Sequence, residues 1–76
     1  MTLKQLRENK GLTQTEVCSK LKISSMYLWY LENGKRNPSD DLKKKLIKLY
    51  AINIEDLYKA IEQTRKFFYK RDKQNV

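Results

Sequence analysis

The side chains in this sequence that are able to do chemistry are few in kind. There is no histidine and only one cysteine, Cys18, and the carboxylates are scattered along the chain. A nucleophile needs a base beside it and a zinc site needs several nitrogen or sulfur ligands, so no catalysis, bound metal or cofactor is expected. What the residues can do in quantity is attract an anion. Lys and Arg number 17 against 9 Asp and Glu, a formal net charge of +8 in 76 residues. A surplus of that size points to a polyanion, with nucleic acid first and an anionic membrane surface far behind.

The surplus is unevenly placed. Residues 34–48 carry six basic and two acidic groups, and residues 62–76 carry five and two. Residues 49–61 carry one basic and two acidic groups. Tyr27, Trp29 and Tyr30, with Met26 beside them, precede the first basic stretch, and the aromatic run Phe67, Phe68 and Tyr69 lies within the second.

These groups must be held by a small scaffold. A chain of this length builds one core that removes roughly 60% of the unfolded chain's surface from water. The apolar share of 39% is enough for a helical core. One cysteine makes no internal disulfide, and no apolar run approaches the ~18 residues that suggest a membrane span. Breakers are scarce: Pro38, Gly11 and Gly34. Thr2-Leu-Lys-Gln5 and Thr13-Gln-Thr-Glu16 have capping-box spacing and predict two helix starts. Ser24 or Ser25 opens a third helix that ends at Asn33-Gly34. Ser39, followed by Asp40 and Asp41, opens a fourth with Leu42, Leu46 and Leu49 inward. Asn53 with Asp56 marks a fifth, with Leu57 and Ile61 on one stripe, and nothing breaks the chain from there toward Lys73.

Three spaced stretches, Gly11-Leu-Thr-Gln-Thr-Glu-Val17, Leu21-Lys-Ile-Ser24 and Leu31-Glu-Asn-Gly-Lys-Arg-Asn-Pro-Ser39, resemble the lambda repressor and Cro family of helix-turn-helix DNA-binding domains. The resemblance continues to Ile52-Asn-Ile-Glu-Asp-Leu57 and covers roughly residues 2–61. It implies an all-α fold, a compact five-helix domain over residues 1–61, and leaves residues 62–76 beyond it as a basic aromatic C-terminal extension. It also implies that the second helix lies across the DNA backbone while the third enters the major groove, within a two-fold dimer reading a palindrome.

The third helix can be divided by geometry alone. At about 100° per residue, Ser24, Tyr27, Leu28 and Leu31 share one side, with Met26, Trp29, Tyr30 and Asn33 opposite and Ser25 at the margin. If the first side is core, Ser25, Met26, Trp29 and Tyr30 read bases. Direct readout usually employs Gln, Asn, Arg or Lys, and that face has almost none. Apolar contact with thymine methyl groups is what it offers, which predicts T-rich half-sites. The same patch also suits a protein partner, since Met and aromatics are enriched at protein interfaces, and that reading stays open.

Phosphate contacts are expected from Gln14, Ser24, Asn33, Lys35, Arg36 and Lys43. Gln14 matches the position at which the family anchors a phosphate beside the amides of the second helix, and Lys35 and Arg36 fall in the loop that grips the backbone. A capped surface residue or a solvated loop would read the same. Arg7 and Glu32 match positions where the family pairs an arginine of the first helix with a glutamate ending the third. Cys18 stands where the family prefers Ala, and a small thiol fits there. Lys22 stands where the turn usually has Gly, at a modest steric cost unless it reaches a phosphate. The family's use of its fifth helix for dimerisation makes Tyr58, Ile61, Phe67 and Phe68 the candidate contacts.

The function these features imply is binding of double-stranded DNA by a homodimeric, cytoplasmic, nucleoid-associated regulator, bacterial or phage-encoded. The simplest form is a repressor of phage, plasmid or mobile-element type acting by operator occupancy. A protein-interaction module, either antitoxin or accessory factor, is the alternative. No membrane partner is expected, although the extension suits either a basic arm on DNA or an amphipathic helix at a membrane surface.

Overall fold

A computed structural model describes the backbone of residues 1–74 and the side chains of residues 1–67. The described residues form five helices: α1 (Leu3–Asn9), α2 (Gln14–Leu21), α3 (Ser25–Glu32), α4 (Asp40–Tyr50) and α5 (Ile54–Gln74). The described residues contain no strand.

Each helix starts on a side chain that takes up an orphan amide. The Thr2 and Thr13 hydroxyls accept from the amides of Gln5 and Glu16, whose own side chains accept from the threonine amides in return. Ser24, Ser39 and Asn53 accept from the amides of Tyr27, Leu42 and Asp56. The ends of the first four helices are also alike. Gly11, Lys22, Gly34 and Ala51 all have φ between 52° and 68°. The residue after each donates its amide to a carbonyl five positions back: Leu12 to Arg7, Ile23 to Cys18, Lys35 to Tyr30 and Ile52 to Ile47. This is the Schellman reversal, and it lets helices of seven to eleven residues turn sharply enough to share one core.

That core consists of Leu3, Leu6, Val17, Leu21, Leu28, Leu31, Leu42, Leu46, Tyr50, Leu57 and Ala60. The α4 stripe runs through Leu42, Leu46 and Tyr50, while Leu49 is only half-buried. Burial pushes the Tyr50 hydroxyl up to about 12, with the nearby Glu32 carboxylate adding to the effect. Cys18 is half-buried against the core, and burial raises its thiol too. No described helix is long and apolar enough to cross a membrane.

Helix α5 continues the core beyond Ala60. Thr64 is 1% exposed. Its hydroxyl accepts from the Leu3 amide at 3.0 Å and donates to the Ala60 carbonyl at 2.8 Å. Next to it, the Gln63 side chain accepts from the amino group of Met1. The free first amide of α1 is therefore capped from α5.

Candidate nucleic-acid interface

Helix α3 is fixed from below. Leu28 and Leu31 are buried, and Glu32 joins them at the end of the helix although it is ionisable. Its carboxylate accepts two hydrogen bonds from Arg7, Nε to Oε2 at 2.7 Å and Nη2 to Oε1 at 3.1 Å. Arg7 spends a third donor, Nη1, on the Leu12 carbonyl at 3.0 Å. Its guanidinium is held above the ordinary arginine range, chiefly by the bond to Glu32. One side chain thus ties α1, the loop before α2 and the end of α3 into a fixed frame. The structure brings Arg7 and Glu32 together in the fork geometry the sequence suggested, and adds Gln14, whose Nε2 lies 3.4 Å from Glu32 Oε1.

The opposite face of α3 is apolar and open. Ser25, Met26 and Trp29 are exposed, the last two at 59% and 45%. Tyr30 is half-buried between neighbours. Trp29 meets it edge to face with ring centroids 5.6 Å apart, and the Arg36 guanidinium lies 5.4 Å from its ring centre. A cation over a ring is held by the ring's quadrupole, so Arg36 is kept at the edge of this apolar face. Met26, Tyr27, Tyr30, Arg36 and Ser24 line a shallow hollow of about 280 Å³. Tyr27, expected on the core side, is half-buried there because its ring reaches the rim.

A second, larger cleft of about 530 Å³ lies on the other flank of α3. Gln14, Trp29 and Asn33 line it together with Lys4 and, from α5, Phe67. Asn33 also closes α3, its side-chain amide donating to the Trp29 carbonyl at 2.8 Å. Lys4 was not singled out in the sequence, because a lysine on an outer helix face has no distinguishing signal. Its place beside Gln14 comes only from the packing of α1 on α3.

Other candidates lie elsewhere. Lys35 is exposed in the turn after α3. Lys43 is turned to the α4–α5 seam, its ammonium 4.9 Å from the Tyr58 ring centre and 3.7 Å from Asp40. Of the four candidate dimer residues, the three whose side chains are described do not lie on one face of α5. Tyr58 is exposed beside Lys43 and Ile61 is half-buried on the core. Phe67, nine positions after Tyr58 and so about 180° round the helix, borders the cleft by Trp29. The Phe68 side chain lies outside the described residues.

Comparison with known proteins agrees with this geometry. Residues 3–57 match the helix-turn-helix family. The chain is 35% identical over 60 residues to the HTH-type transcriptional regulator DdrOP3 of Deinococcus deserti, covering 79% of this chain and 46% of that protein, so it spans less than half of that relative. It is 36% identical over 56 residues to the uncharacterized HTH-type transcriptional regulator MJ0272 of Methanocaldococcus jannaschii, covering 74% of this chain and 85% of that one. An uncharacterized HTH-type transcriptional regulator of Archaeoglobus fulgidus is 34% identical, with 74% and 80% covered. No solved structure gives a significant match. By its sequence match and by the packing of α2 against α3, the chain belongs to the lambda repressor/Cro-like helix-turn-helix family.

Proposed function

We propose that the protein is a homodimeric, sequence-specific binder of double-stranded DNA that represses transcription by occupying an operator of phage, plasmid or other mobile-element type. The observation that carries this reading is the exposed face of α3. Ser25, Met26, Trp29 and Tyr30 stand clear of the core, and Lys35 and Arg36 follow directly in the turn. In this arrangement α3 enters the major groove, and the flanking cations, with Gln14, Ser24 and Asn33, meet the phosphates of the two strands. Lys43 joins them by releasing Tyr58. The hollow between Met26, Tyr27 and Tyr30 receives a thymine methyl group, the apolar feature of the major groove. The site of action is the cytoplasm, on the nucleoid.

Selection of bound sequences from a random DNA pool tests this. A T-rich palindrome or direct repeat is expected, and replacing its thymines by uracil, which removes only the methyl group, should weaken binding several-fold. A pool with no enriched motif would remove the main support. The exposure of Met26 and Trp29 also favours a second reading, in which this face binds a protein. An affinity that hardly responds to salt would select it, because phosphate contacts are lost steeply as salt rises.

A further inference from the structure

Residues beyond Leu57 lie outside the stretch that matches the family, yet the last fully described turn of α5 is built against the reading helix. Thr64 is among the most buried side chains in the protein and caps the first amide of α1. The turn that ends α3 lies flush on the same stretch: a Cβ on Gly34 would come within 3.3 Å of both the Arg65 Cα and the Thr64 carbonyl. Only a residue without a side chain lets α3 and α5 approach so closely. One turn further on, Phe67 borders the cleft that Trp29 borders from α3.

These placements bear on the reading face. An indole that is 45% exposed on a helix samples several rotamers unless something bounds it. Tyr30 bounds Trp29 on one side in an edge-to-face contact, and Phe67, on a helix locked in place by Thr64 and Gly34, lines the same cleft as the indole. A side chain already held in its binding pose loses less freedom on contact with a partner. We propose that residues 64–67 of α5 are a positioning element of the DNA-binding unit, and that Phe67 holds Trp29 in the pose from which it meets DNA. The second half rests on the base-reading role given to Trp29 above.

Trp29 is the sole tryptophan, so intrinsic fluorescence of the full chain reports this one side chain. Phe67 is exposed, so Phe67→Ala leaves the core intact, which circular dichroism checks. In the free protein Phe67→Ala should raise acrylamide quenching of Trp29, and Phe67→Leu should restore most of the protection. On a DNA duplex taken from the selection, Phe67→Ala should lower affinity about threefold to tenfold, the range for freeing one ordered side chain, and this loss should vanish in a Trp29→Ala background. Unchanged quenching in Phe67→Ala overturns the positioning role. So does an equal affinity loss with and without Trp29, or a change in oligomeric state, either of which would give Phe67 another task. If Trp29→Ala alone leaves affinity and base preference untouched, the base-reading role fails while the quenching result still decides whether Phe67 holds the indole.

Discussion

Two buried polar residues set the stability of the frame behind the reading helix. Arg7 and Glu32 are 7% and 5% exposed, so removing one leaves the other charge stranded in the core. Arg7→Ala should therefore cost about 3–5 kcal/mol, a large part of what a small domain possesses. Arg7→Lys should recover little, because an ammonium cannot reproduce the two parallel bonds and the third to the Leu12 carbonyl. Urea unfolding measures both, and an Arg7→Ala protein of unchanged midpoint would refute the role. Tyr50 makes a different kind of prediction. Its hydroxyl is shifted from 10 to about 12, first by burial and then by Glu32. Below pH 10 the phenol keeps its proton in both states. Between pH 10 and 12 the unfolded chain releases a proton that the folded one retains, so stability falls as pH rises through that window, by up to about 2 kcal/mol. Tyr50→Phe should remove this part of the alkaline loss, and thermal melts of both proteins at pH 9 and pH 11 would show it. A Tyr50→Phe protein that loses as much as the parent would place the alkaline sensitivity elsewhere.

At the scale of elements, four left-handed corners decide how well the short helices close, and they are not equivalent. Gly11 has open space where a Cβ would go, so Gly11→Ala should cost only the left-handed strain, about 1 kcal/mol. At Gly34 the Cβ would press on the α5 backbone, which cannot yield as a side-chain tip would, so Gly34→Ala should cost clearly more. Ala51 already bears the strain at φ 52°, and Ala51→Gly should stabilise the protein by somewhat under 1 kcal/mol, since part of the relief is lost to the freer unfolded chain. Melting the three variants side by side tests the order, and a Gly34→Ala protein as stable as Gly11→Ala would remove the close contact with α5. Helix starts were legible in the sequence because each is written in a local pair such as Thr13 and Glu16. Gly11 and Gly34 were legible as turns from the residue type itself, and Lys22 from the family resemblance, which usually has Gly at its position. Ala51 was not, since alanine usually favours helix and only the chain's need to reverse overrides it. Nor was Thr64 legible. Leu57, Ala60 and Thr64 do share a helical stripe, but a small residue and a hydroxyl show too little apolar character to mark it as core. The α4 stripe misled similarly: Leu49 looked the better core residue, and the aromatic area of Tyr50 won the position. In the candidate site, the α3 face could be read from types and spacing and the Arg7–Glu32 pair from the family resemblance, whereas the arrival of Lys4 and Phe67 beside Trp29 depends on how α1 and α5 pack.

Over the whole molecule, the proposed function divides the work of binding between the charge of +8 and the nearly uncharged face of α3, and this division can be measured. Each Lys or Arg that neutralises a phosphate adds about 0.9 to the slope of log affinity against log salt. In the proposed complex Gln14 and the amides of α2 hold a phosphate without adding to it. Lys35→Ala should therefore lower affinity for every sequence alike and flatten the salt slope, leaving base preference unchanged. Met26→Ala and Trp29→Ala should do the reverse, relaxing preference at the base pairs they touch by about 1–3 kcal/mol each with the slope intact. Arg36 tests this division most strictly, because its stacking on Tyr30 links the two sets: if the stack also orders Tyr30, Arg36→Ala should flatten the slope and blur one base position, whereas Lys35→Ala flattens the slope alone. The size of the flattening also reports assembly. A two-fold dimer presents every cation twice, so one substitution should remove about 1.8 from the slope, against about 0.9 for a monomer on the same DNA. Titrating the parent chain and the Lys35→Ala and Arg36→Ala proteins onto the selected duplex at several salt concentrations yields both quantities. A loss near 0.9 would place a single copy on the site and leave Tyr58 and Ile61 without a dimer contact to make, and no loss at all would remove Lys35 and Arg36 from the phosphate surface.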